Sequence, residues 1–130
     1  MFARQNARVS QLTHPTEMIV VVLRKRHGGR SWLRLYFGAG NQMFPPKIVY
    51  GLNEANADVA SGWSFETILH NHTLQRRGER IALGMPTLST VDVGLFRNLA
   101  RNLGLRSAWV TNGIYTAEVP ASSFRLFFAR

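Results

Sequence analysis

The chain has 130 residues, sixteen basic side chains against seven acidic, and a formal net charge of +9 at pH 7. That is one domain's length, enough to bury about two-thirds of the surface the unfolded chain exposes. A composition of 45% hydrophobic and 11% aromatic residues excludes disordered, collagen-like and low-complexity chains. The lack of any cysteine excludes disulfide scaffolds, thiolate metal sites and thiol nucleophiles, so a metal here must be held by His and carboxylates.

The longest aliphatic run, Met18 to Leu23, is six residues, against the ~20 of a membrane span; no membrane association is expected. The first residues carry no apolar segment of the kind that drives secretion, so a cytoplasmic location is the expectation. Fourteen of the sixteen basic residues are Arg. The surplus suits nucleic acid or another acidic partner, and suits equally a basic solvated surface, since the arginines are scattered, with groups only at Arg24–Arg26 and Arg76–Arg80.

No repeat, linker or composition break divides residues 1–130, which read as a single domain. Residues 1–13 read as a short polar helix. Glu17 to Arg24 (EMIVVVLR) is β-branched and apolar, the pattern of a strand buried on both faces. His27-Gly28-Gly29-Arg30 is a turn, and Ser31 to Phe37 alternates as its hairpin partner. Gly38 to Pro46 reads as loop, Lys47 to Leu52 as a short strand, and Asn53 to Ser61 as a helical turn or loop. Phe65 to His72 is strand-like, and Thr73 to Leu88 is a long, Arg-rich connection. From Ser89 onward Val91, Leu95, Leu99 and Leu103 recur every four residues, as on an amphipathic helix, with Gly104 at the C-cap position. Arg106 to Thr111 and Ile114 to Val119 flank Asn112-Gly113 as a hairpin. Strands, a central helix and strands again make a mixed α+β domain, a sheet flanked by helices. Trp32, Tyr36, Trp63, Phe65, Trp109 and Tyr115 lie in strand-like segments and read as core or sheet surface. Phe124, Phe127 and Phe128 form an apolar patch that either closes the core or docks a partner.

The chemistry-bearing residues fall in three places. His70 and His72 are two apart on a strand, so their side chains share one face with ~6.6 Å between Cα atoms. That is half of a zinc site, or two polar residues at a strand end. Ser89-Thr90-Val91-Asp92 opens the helix. It reads as a capping box with Asp in place of Glu, or as a third ligand placed where the helix dipole favours a carboxylate. Glu17 enters the most apolar strand, which is costly for a carboxylate without a partner or a task; otherwise it is a strand-edge residue reaching water. Glu66, on the strand face of His70 if that strand is regular, and Glu54, in the polar segment before it, are two further carboxylates.

The order Glu17, His70-x-His72, Ser89-x-x-Asp92 resembles the signature of the JAMM (MPN-type, JAB-domain) zinc metallopeptidases. His14-Pro15-Thr16-Glu17 before MIVVVL resembles the family's glutamate segment. LHNH and PTLSTVD are also similar to the JAMM-like domain of RadC-type proteins. The resemblance spans about residues 12–119. It implies an MPN/JAB-like (cytidine-deaminase-like) fold and a Zn2+ held by His70, His72 and Asp92, with water as fourth ligand. It further implies that Glu17 is the general base, a role for which Glu66 and Glu54 are rivals, and that Ser89 hydrogen-bonds the oxyanion. The implied substrate is a peptide or isopeptide bond, often beside the tail of a ubiquitin-like protein. Two departures stand out: Thr73 replaces the family's Pro after the second His, and the sixteen residues from Thr73 to Leu88 exceed the family's spacing. Two other readings stand beside this one: a non-catalytic MPN-like module binding a partner or nucleic acid through its arginines, and a metal-dependent hydrolase with a non-peptide substrate.

Overall fold

The computed structural model describes residues 16–41, 48–72, 75–77, 80–82 and 84–128; the polar helix expected over residues 1–13 lies outside them. Strand β1 (Thr16–His27) and strand β2 (Arg30–Asn41) form a long antiparallel hairpin in register from Thr16↔Asn41 to His27↔Arg30. The two-residue turn needs positive φ at both central positions, and Gly28 (φ 56°) and Gly29 (φ 75°) supply it without a Cβ penalty. Helix α1 (Ile48–Ala60) leads to β3 (Ser64–Asn71), followed by a small hairpin of β4 (Gln75–Arg77) and β5 (Arg80–Ala82). Helix α2 (Thr90–Leu103), β6 (Ser107–Thr111), β7 (Thr116–Pro120) and a C-terminal 3-10 helix (Ala121–Phe128) complete the chain.

The main sheet has the order β2-β1-β3-β6-β7 and is mixed: β3 and β6 run parallel, the other pairs antiparallel. Parallel neighbours need a crossover, and α2 supplies it. The domain is therefore α+β, as expected. One face of the sheet carries the core. Ile19, Val21 and Leu23 from β1, Phe65 and Ile68 from β3, and Ala108 and Val110 from β6 pack on Ala55 of α1, on Val93, Phe96 and Leu99 of α2, and on Phe124. The C-terminal aromatic patch thus divides: Phe124 closes the core, while Phe127 is exposed. On the opposite face Leu33, Leu35 and Phe37 of β2 are exposed.

The short strand expected over Lys47 to Leu52 is instead the first half of α1 from Ile48 onward. Its β-branched residues favour strands locally, but Ala55 and Val59 turn to the core at helical spacing, and that packing decides. Ala55 is buried and Val59 packs on the core. The buried Asp58 carboxylate fixes the helix to β2 by accepting from the Arg34 guanidinium and the Tyr36 hydroxyl, and Arg34 lies 4.5 Å over the Trp63 ring. Phe96 is the keystone of α2, stacked near Phe124 (6.3 Å between centroids) and the His70 ring (5.6 Å). Truncating a buried Phe leaves a cavity as well as losing its transfer energy. Phe96→Ala is expected to cost about 3–5 kcal/mol, a fall in Tm of roughly 10–20 °C by thermal melting.

Candidate metal centre

Three elements bring the signature residues together. His70 is the penultimate residue of β3, paired with Ile19 of β1 and Val110 of β6, and its side chain sits on the core face, buried. His72 follows the strand but keeps to its ladder, since its N–H donates to the Thr111 carbonyl at 2.8 Å. The i, i+2 relation therefore survives past the strand end, and both imidazoles turn the same way. Their Nε2 atoms lie 3.3 Å apart.

Asp92 arrives from α2. Ser89 is the N-cap, in extended backbone (φ −72°, ψ 164°). The Asp92 N–H donates to Ser89 Oγ at 3.2 Å and the Ser89 N–H donates to Asp92 Oδ2 at 2.8 Å, a complete capping box. The same Oδ2 lies 3.4 Å from His70 Nε2 and 3.5 Å from His72 Nε2. The capping and ligand readings are thus not exclusive: one lone pair of Oδ2 takes the backbone N–H, and the oxygen still faces both imidazoles. The helix start orients the carboxylate, as an outer shell does for a metal ligand.

The triangle of 3.3, 3.4 and 3.5 Å has the dimensions of one face of a zinc tetrahedron. Metal–ligand bonds near 2.05 Å at the tetrahedral angle put donor atoms ~3.4 Å apart. These three residues form a group able to hold a metal ion, with their ligand atoms all within 4.8 Å of one another. The tautomer agrees: His72 Nδ1 lies 2.7 Å from the Met85 carbonyl, which can only accept, so Nδ1 carries the proton and Nε2 presents its lone pair. His70 Nδ1 is buried without a hydrogen-bond partner among the described residues; its ring is held by packing against Phe96.

Glu17 belongs to the same face of β1 as Ile19 and stands within electrostatic reach of His72, Asp92 and His70, yet it is not one of the grouped ligands. Burial pushes its pKa up; His72 and His70 pull it down and Asp92 pushes it up, for a net rise. Its rivals are elsewhere. Glu54 is an exposed residue of α1. Glu66 is ion-paired to Arg24 at 2.8 Å and approaches Arg106 at 4.0 Å. The expectation that Glu66 shares the face of His70 required a regular strand. A register shift between Val22 and Leu23, opposite Glu66, leaves Phe65 and Ile68 on the core face three residues apart, so alternation fails there.

Three supporting residues escaped the sequence reading. Asn71, buried between the two histidines, accepts from the Met18 N–H at 2.5 Å and ties the entry of β1, beside Glu17, to the end of β3. Asn112 Nδ2 donates to the Gly84 carbonyl at 2.9 Å, which holds the segment carrying Met85 against the sheet. The Met85 carbonyl then orients His72. These hydrogen bonds join residues distant in sequence, and no local pattern signals them.

The hydrogen bond to Asp92 raises the His72 pKa most; burial opposes it, and the Met85 carbonyl adds to the rise. For Asp92, burial is the largest influence and pushes upward, but hydrogen bonds from His70, His72 and Ser89 together outweigh it and hold the carboxyl well below its usual range. In metal-free protein Asp92 therefore contributes stability above its unfolded pKa, lost as pH falls through the folded value. His72 contributes below its unfolded pKa, and that is lost as pH rises through the folded value. Thermal melting of metal-stripped protein should show this contribution greatest between about pH 4 and about pH 6.5. With saturating Zn2+ the alkaline side should reverse, Tm rising with pH, because proton and metal compete for His72 Nε2.

Among the described residues, no helix is long and apolar enough to cross a membrane. Comparison of the chain with protein-family models, with curated proteins and with solved structures finds no match in any of the three.

Proposed function

We propose that this chain is a zinc-dependent hydrolase of the JAMM (MPN/JAB) type, acting on a peptide or isopeptide bond. The observation that carries the proposal is the convergence of His70, His72 and Asp92 on a triangle of tetrahedral dimensions, with an unligated, half-buried Glu17 beside it. Two imidazoles and one carboxylate suit zinc, and three protein ligands with an open fourth position are the pattern of catalytic zinc. Zinc held there would supply Lewis acidity and lower the pKa of water towards neutrality.

The chain's own residues supply the rest. Glu17, with its pKa raised by burial, takes the proton from water as the water oxygen bonds to the carbonyl carbon. It returns that proton to the amine nitrogen as the C–N bond breaks. The Ser89 hydroxyl accepts from the Asp92 N–H, so its own O–H is free to donate to the oxyanion of the tetrahedral intermediate. His70 and His72 hold position through packing and the Met85 carbonyl. The β4–β5 hairpin occupies the enlarged connection between His72 and Ser89, and on this reading the substrate passes beside it as an extended tail, as from a ubiquitin-like protein.

Hydrolysis of a lysine-isopeptide-linked ubiquitin-like substrate tests the proposal: cleavage abolished by chelation and restored by Zn2+ is expected, and no cleavage by zinc-loaded protein counts against it. The complete capping box favours a second reading, a non-catalytic MPN-like module, because helix capping alone accounts for Ser89 and Asp92. That reading predicts no retained metal and indifference to His70→Ala.

A further inference from the structure

Away from the metal cluster, α2 and the C-terminal 3-10 helix form an open groove. Arg97 and Arg101 reach it from one wall, Arg125 and Ser122 from the other, and among the described residues its lining contains no Asp or Glu. Arg97 and Arg101 are one helical turn apart, ~6 Å between Cβ atoms, and Arg97 lies five residues, ~8 Å along the axis, beyond Asp92. Arg101 and Arg125, both exposed, therefore bring positive charge from two elements to one space in a chain of net charge +9.

We infer that this groove holds nucleic acid by its phosphodiester backbone. Charge complementarity requires a polyanion, and the guanidinium fork matches the phosphate oxygens in a bidentate manner. A protein partner would need an apolar anchor in the groove. The apolar lining offers none: Phe124 is only 2% exposed, already spent in the core, and the other apolar residues are alanines. With no exposed aromatic ring among the described lining residues for a base to stack on, binding is to the backbone and indifferent to sequence. The inference does not depend on the metal centre.

Fluorescence anisotropy with a labelled mixed-sequence oligonucleotide of roughly 20 nucleotides, at low and rising salt, tests it. The double variant Arg101→Glu/Arg125→Glu, at two exposed positions, is expected to weaken binding by about tenfold or more. It should also flatten the log–log salt dependence by roughly 0.7 for each phosphate the variant no longer neutralises. Arg26→Glu/Arg30→Glu, an equal charge change around the exposed β1–β2 turn, is expected to weaken it by less than about threefold. Circular dichroism confirms folding, and Arg101→Ala and Arg125→Ala singly replace the double variant if it unfolds. Unchanged affinity in the groove variants, an equal loss in the turn variant, or displacement of the oligonucleotide by polyglutamate at equal charge concentration would each overturn the inference, the last pointing to an acidic protein instead.

Discussion

Glu17→Gln is expected to keep its zinc and lose its turnover. The residue is not among the grouped ligands, so metal content per chain should equal wild type. The amide preserves shape but cannot take a proton from water, and the loss of a positioned general base lowers kcat by about 10²–10⁴-fold. Burial favours the neutral acid in Glu17, so wild-type turnover should fall as pH drops through that raised value, and the residual rate of the variant should lack this limb. A variant with normal zinc and normal turnover would remove Glu17 from the mechanism while leaving the metal centre intact.

On the proposed reading Asp92 combines helix capping and metal ligation on one oxygen, and two substitutions separate them. Asp92→Asn keeps an oxygen able to accept the Ser89 N–H but loses the negative charge that faces His70 and His72. Asp92→Ala loses both. Changing outer-shell partners of a metal costs 10–100-fold in affinity, so losing a direct ligand is expected to cost more than about 100-fold in both variants. Stability of metal-stripped protein should differ between them. The alanine variant forfeits the capping interaction, worth about 1 kcal/mol, and should melt roughly 4 °C below the asparagine variant. Equal melting with metal retained would reduce Asp92 to a bystander.

The sequence read well where one local rule decided the outcome. The apolar spacing up to Leu103, the capping pattern at Ser89 and the positive-φ glycine at position 104 (φ 75°) all describe one helix, which α2 is, although Val91 is exposed and the buried stripe runs through Val93, Phe96 and Leu99. The β1–β2 hairpin followed from its glycine pair in the same way, although β2 continues to Asn41 rather than ending at Phe37. Where local rules compete, local propensity misleads: the stretch Lys47 to Leu52 reads as a strand, and from Ile48 onward it is helix, with Ala55 and Val59 packed on the core. A bulge cannot be seen in period-two reasoning, and one residue of slip sends Glu66 to Arg24 instead of to the histidines. The candidate ligands were legible because each sits at an element end whose geometry is local. Their convergence was not, because it depends on parallel pairing of β3 with β6 and on the crossover helix between them. The β4–β5 hairpin within the long connection also gave no periodic signal, its strands being three residues each.

The proposed chemistry stands or falls on whether His70, His72 and Asp92 hold a metal ion. Elemental analysis of protein purified without chelator, wild type beside His72→Ala and Asp92→Asn, tests this most directly. Close to one zinc per wild-type chain is expected, and almost none in either variant, with all three remaining folded by circular dichroism. A folded wild type that retains no zinc after incubation with the metal, or variants that bind it as well as wild type, would contradict the metal centre.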